Sequence, residues 1–136
     1  MSTPTIRTDS PPSLAHSATT ADAQLLVQLM AAGTAAGADR GSQILFAYET
    51  PPTLGQLRET YPRLSEDYRQ IMAFLSQCET IGTFVKQGLL DEPLVHDLFW
   101  VAGAWKASGQ ICLGIREEGG EPRLLENFEW LASRTD

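Results

Sequence analysis

Apolar residues along this chain recur at helical spacing, and no stretch alternates as a strand would. From Leu94, the positions Leu98, Val101, Trp105 and Cys112 follow at steps of three, four and seven residues. At about 100° per residue they share one side of a helix. The next residue on that side is Arg116. A cation on a stripe meant for the core needs a counter-charge, and the partners expected for it are Glu79 and Glu129.

The same periodicity divides the whole chain. Residues 1–21 are rich in Ser, Thr and Pro and poor in bulky apolar side chains, so they cannot offset their ordering entropy and read as a disordered leader. Residues 22–136 form a single helical domain. Its first helix starts at or just before Asp22, capped by Thr20 or Asp22, and turns Leu25, Leu26, Leu29 and Met30 inward before Gly33 and Gly37 weaken it. A second, short helix is expected from Ser42 to about Glu49, with Ile44, Leu45 and Tyr48 inward. Thr53 caps a third short helix, with Gln56 in the capping-box position, and Tyr61-Pro62 ends it.

The central helix runs from Ser65 or Glu66 to about Gln87, on the stripe Ile71, Phe74, Leu75, Cys78, Ile81, Gly82 and Val85. Gly88 takes the left-handed cap, Leu89 tucks back, and Asp91 caps the next helix with Pro93 in its first turn. That helix is predicted as one piece from about Glu92 to Arg116, kinked near Gly109. The last helix, roughly Pro122 to Ser133, buries Leu124, Leu125, Phe128, Leu131 and Ala132. Short connections make consecutive helices antiparallel neighbours. The fold class is therefore all-α, an antiparallel helical bundle of five to six helices behind a disordered N-terminal leader.

Charge removes several functions. The net charge is −7 and the ten basic residues are scattered, no two adjacent. The pI is about 4.7. A nucleic-acid or anionic-membrane partner needs a basic patch, and none forms. No run of 18 apolar residues exists, and the N-terminus lacks the regions of a signal peptide, so a cytoplasmic protein is expected. Cys78 and Cys112 stand in apolar helical contexts and read as buried free thiols. His16 and His96 have no companions at ligand spacing, and phosphate-loop and nucleophile-elbow motifs are absent, so no metal and no cofactor is expected.

At individual residues the alternatives stay open. Glu79, about 100° from its stripe, is a rim carboxylate, a partly buried partner of Arg116, or a catalytic acid that lacks a second titratable group. Arg116 snorkels at a helix end, pairs structurally, or binds an anion. Trp100 and Trp130 lie off the stripes of their helices, and they mark either a subunit interface or a wider core.

The segments DAQLLVQL, FLSQCETIGTFVKQGLLDEPLV, the helix from Trp105 to Arg116, and LLENFEWLA resemble a family of small bacterial α-helical proteins of unknown function. Its pattern is an acidic residue in the middle helix, a GLLDE turn, a tryptophan helix ending in arginine, and a closing NFExL helix. On this chain it falls on Glu79, Gly88, Leu89, Asp91, Trp105, Arg116, Asn127, Phe128, Glu129 and Leu131, within Asp22 to Arg134. Some relatives carry an N-terminal membrane helix where this chain has its leader. The resemblance implies an all-α fold and a Glu/Arg polar cluster, and brings no activity with it. The functions expected are a non-enzymatic protein-interaction or regulatory module, whose partners are another protein or a second copy of the chain. The alternative is a domain that binds a small ligand or anion through Arg116 and the tryptophans, and a third is an enzyme built on Glu79.

Overall fold

The computed structural model describes residues 17–134, so residues 1–16 of the expected leader lie outside the described residues. Among the described residues seven helices follow one another: α1 (Thr20–Ala36), α2 (Ala38–Phe46), α3 (Leu54–Thr60), α4 (Glu66–Lys86), α5 (Glu92–Leu98), α6 (Val101–Gly119) and α7 (Glu126–Ala132). No strand occurs among the described residues.

Caps set most of the boundaries. Thr19, one residue earlier than expected, caps α1 and shares a capping box with Asp22, each donating to the other at 2.7–3.1 Å. Thr53 and Gln56 form the same box at α3. The Ser65 hydroxyl caps α4, and Asp91 accepts from the Leu94 N–H at the start of α5. Gly37, at φ 88°, ends α1 and lets α2 begin at once, so α2 starts at Ala38 rather than Ser42. Helix α2 stops at Phe46, and Tyr48 packs on the core from beyond it.

The chain leaves α4 through a Schellman turn: Gly88 donates to Val85 O and Leu89 to Phe84 O. The expected inward leucine is wrong by one residue. Leu89 is 54% exposed and Leu90 only 1%. The cause is the next helix. Leu90 precedes the Asp91 cap, and it and Val95 occupy the two positions of a hydrophobic staple, both buried in the core.

The long helix expected from Glu92 to Arg116 is two helices. Phe99 is extended (φ −130°, ψ 138°) and Trp100 is non-helical, so the break falls there and not at Gly109. An unbroken helix would spread Val95, Leu98, Phe99, Trp100 and Val101 nearly all round, with only His96 and Asp97 between them, more apolar surface than one core-facing side can bury. The break keeps Val95 and Val101 in the core while Leu98 and Trp100 stay exposed. Gly103 makes room for the turned indole, because a Cβ there would sit 2.2 Å from the Trp100 ring. The stripe from Leu94 to Arg116 is therefore interrupted after Leu98.

Helix α4 packs against α1, α2 and α7, and α6 against α2, α3 and α7. Glycine lets two of these contacts close: a Cβ on Gly41 would meet Gln70 O at 2.2 Å, and one on Gly82 would meet Asn127 O at 2.4 Å. Helix α7 starts at Glu126, not Pro122. Leu125 before it takes a left-handed conformation (φ 61°) and offers no capping side chain. Phe128, Leu131 and Ala132 are buried as expected, whereas Leu124 is exposed.

Candidate functional site

Two places gather unusual side chains. The first is the start of α7. Three residues into that helix the Phe128 N–H needs an acceptor, and Leu125 cannot supply one. Glu79 supplies it from α4: its Oε1 accepts from Phe128 N at 2.8 Å and its Oε2 from Asn127 Nδ2 at 3.0 Å. The same Asn127 amide donates to Thr83 Oγ1 at 3.0 Å, and Thr83 donates to the Glu79 carbonyl. Glu79 thus acts as an N-cap provided by another helix.

Arg116 lies on the other side of this junction. Its Nη2 is 2.8 Å from Glu129 Oε1, and its Nε donates to Leu124 O at 2.7 Å. The Nη2 contact is an ion pair by distance but is not aligned as a hydrogen bond, which leaves that nitrogen without one. The guanidinium also lies 5.9 Å from the Trp105 ring centroid, and Trp105 meets Phe128 edge to face at 5.1 Å. The Arg116 side chain is 15% exposed and that of Glu129 46%. The structure therefore brings Arg116 to Glu129, while Glu79 gives both oxygens to α7. Chemically the cluster fastens α4, α6 and α7 together.

The two tryptophans singled out by the sequence part company. Trp130 packs against the core, with the Arg134 guanidinium 4.8 Å and the Lys86 ammonium 5.7 Å from its ring centroid. Trp100 is 72% exposed, and its ring stacks on Phe46, centroids 6.2 Å apart and planes 16° from parallel.

That stack belongs to the second place, a cavity of about 430 Å³ among α2, α4 and the α5–α6 junction. Helix α2 presents Asp39, Ser42, Gln43 and Phe46 to it, the i, i+3, i+4, i+7 face of a helix. Along the axis that face is about 10 Å long. Opposite stand Phe74, Gln77, Cys78 and Ile81 of α4, and the junction adds Val95, Leu98, Phe99, Trp100, Val101 and Ala104. The size falls within the range of small-molecule sites, as does the make-up, mostly apolar with a few polar groups, Asp39, Ser42 and Gln43 on α2 and Gln77 on α4. None of Glu79, Arg116 and Glu129 lines it.

Sequence reasoning missed this cavity because it read α2 by its core face, Ile44 and Leu45, and passed over the residues opposite. One signal was present: in Val95–Val101 five apolar residues lie nearly all round the helix, more than one core-facing side can cover.

Cys78 lines this cavity and Cys112 lies in the core, and neither thiol is reactive. Apolar burial, with Cys112 nearby, pushes the Cys78 thiol up, and burial pushes Cys112 up to about 12. Both cysteines are free. Among the described residues no three His, Cys, Asp or Glu side chains are grouped to hold a metal ion. Among the same residues no helix is long and apolar enough to cross a membrane.

No curated protein and no solved structure matches the chain. Residues 18–135 match the family model described as a domain of unknown function, DUF4760, and the chain belongs to that family.

Proposed function

We propose that this chain is a non-enzymatic binding module whose cavity, bounded by α2, α4 and the α5–α6 junction, takes a small and largely apolar molecule. The observation that carries this reading is the cavity itself: about 430 Å³, walled by Phe74, Ile81, Val95 and Phe99 and rimmed by the exposed Phe46–Trp100 stack. An aromatic pair left in water next to a cavity is costly unless something covers it. The polar cluster takes the structural part of the expectation, and the ligand site moves from Arg116 to Phe46 and Trp100.

The frame we infer for this site is an antiparallel bundle around α4. Gly33 of α1 lies against Gln77 and Gly37 against Gln70, so the two helices run in opposite senses where they meet. The two free thiols suit a cytoplasmic protein. General acid–base work calls for paired titratable groups, and among the described residues Asp39 is the single carboxylate on the cavity wall.

The test is binding of Nile red, a neutral dye whose emission moves to the blue in apolar surroundings. Wild-type protein should bind it with a saturable blue shift. Ser42→Phe, which fills the cavity from its α2 edge, should abolish the shift while leaving circular dichroism and Tm near wild type. Equal binding by both proteins would place the dye elsewhere and refute the reading.

A second reading is favoured by the exposure of Phe46, Leu98 and Trp100 beside one another at the cavity mouth. A second copy of the chain, or another protein, would cover them. Sedimentation equilibrium decides between the two covers: Trp100→Ala should shift a dimer towards monomer, and a monomer at high concentration ends the reading of a second copy.

A further inference from the structure

We infer that the molecule bound in this cavity is an amphipathic organic cation, with an ammonium head at Asp39 and an apolar body reaching the Phe46–Trp100 pair. The inference rests on the reading of the cavity as a binding site and adds the chemical class of the ligand. Three observations carry it.

The first is charge. Of the sixteen described residues lining the cavity, Asp39 is the only acidic one, and no lysine, arginine or histidine is among them. The Cys78 thiol stays protonated, because its apolar surroundings disfavour the thiolate. An anionic ligand would meet a carboxylate and nothing to neutralise it. Arg40, the nearest cation along the chain, is turned to Asp67, with 3.5 Å between Nε and Oδ1.

The second is the state of Asp39. Its one hydrogen bond from a side chain is long, 3.3 Å from Thr34 Oγ1, and exposed. A weakly engaged carboxylate in the first turn of α2 still offers acceptor positions to an ammonium donor.

The third is shape. Asp39 and Phe46 are seven residues apart on one helix face, so the carboxylate and the aromatic pair stand about 10 Å from each other along the cavity. At the far end α2 finishes at Phe46 and α5 at Leu98. The aromatic faces of Phe46 and Trp100 there disfavour an anion. The polar edge of α2 faces an α4 wall that is mostly apolar, Phe74, Cys78 and Ile81 beside Gln77, which fits a molecule with a polar head and an apolar body. The overall charge of −7 raises the local concentration of such a cation.

The experiment compares three probes of one shape: phenylbutylamine, phenylbutanol and phenylbutyrate, each titrated into the full chain by calorimetry at pH 7. The amine should bind about fivefold more tightly than the alcohol, the scale of one partly exposed ion pair, and the carboxylate more weakly than either. Asp39→Asn should reduce the amine to the affinity of the alcohol and leave the alcohol unchanged. Glu59→Gln removes the same charge from α3, which contributes nothing to the cavity, and should leave the preference intact. If the alcohol or the carboxylate binds as tightly as the amine, or if Asp39→Asn keeps the preference, the cationic ligand is refuted while the cavity remains a binding site. If Glu59→Gln also erases the preference, net charge and not Asp39 is responsible, and the inference fails. If none of the three binds, the proposed function falls with it.

Discussion

At the scale of single residues, Glu79 and Glu129 look interchangeable as partners of one arginine, and the structure gives them different work. Glu79 accepts from the N–H of Phe128, a residue with no exposed surface. Removing the acceptor strands a buried donor and leaves the Asn127 amide with Thr83 alone. Glu79→Ala is therefore expected to cost about 2–3 kcal/mol, and Glu129→Ala, which breaks a half-exposed ion pair, about 1 kcal/mol or less. Urea denaturation measures both, and equal losses would contradict the capping role. Glu79→Gln keeps one acceptor oxygen and should recover part of the loss. Arg116→Met should likewise cost more than Arg123→Met, since the Arg123 side chain is 78% exposed and Arg116 also holds Leu124 O. The thiols give a third check. Reactivity follows the thiolate fraction, and burial raises both thiol pKa values, Cys112 to about 12. Native protein at pH 8 should hardly react with Ellman's reagent, and unfolded protein should yield two thiols at once. Here the sequence was legible in part: a cation at Arg116 demanded a carboxylate. That Glu79 would serve a backbone N–H was not legible, because that depends on Leu125 taking a left-handed turn.

At the scale of elements, caps were the readable signals. Thr53 with Gln56, Ser65 and Asp91 all act within a few residues of themselves, so spacing alone reveals them. The α5–α6 break was hidden because no proline or glycine marks it. It arises from competition among Leu98, Phe99 and Trp100 for a core that cannot take all three. Glycine explains the closest crossings. In Gly82→Ala the gain of about 1 kcal/mol in helix propensity is opposed by overpacking of about 1–3 kcal/mol, since the new methyl would meet the Asn127 carbonyl. A net loss of stability is expected. Gly55→Ala, whose nearest neighbour would stand 4.0 Å away, should be neutral or stabilise by about 0.5 kcal/mol. Thermal unfolding of the pair reads both signs, and a stabilised Gly82→Ala would contradict the close approach of α4 and α7.

At the scale of the whole molecule, the polar cluster and the cavity divide structure from function. The cluster fastens α7 to α4 and α6, and the cavity opens between α2 and the junction of α5 with α6. Only the helical class and the outline of the core were legible from periodicity. A cavity is what remains after all seven helices are placed, so no single stripe announces it. The three tryptophans report on the two regions separately: Trp100 at the cavity mouth, Trp105 against Phe128, and Trp130 between Arg134 and Lys86. The most direct test of the cavity as a binding site is a proton–nitrogen correlation spectrum of the indole N–H groups during titration with phenylbutylamine. The Trp100 resonance should move and saturate while those of Trp105 and Trp130 stay in place. Movement of Trp105 or Trp130 with Trp100 unchanged, or no movement at all, would contradict it.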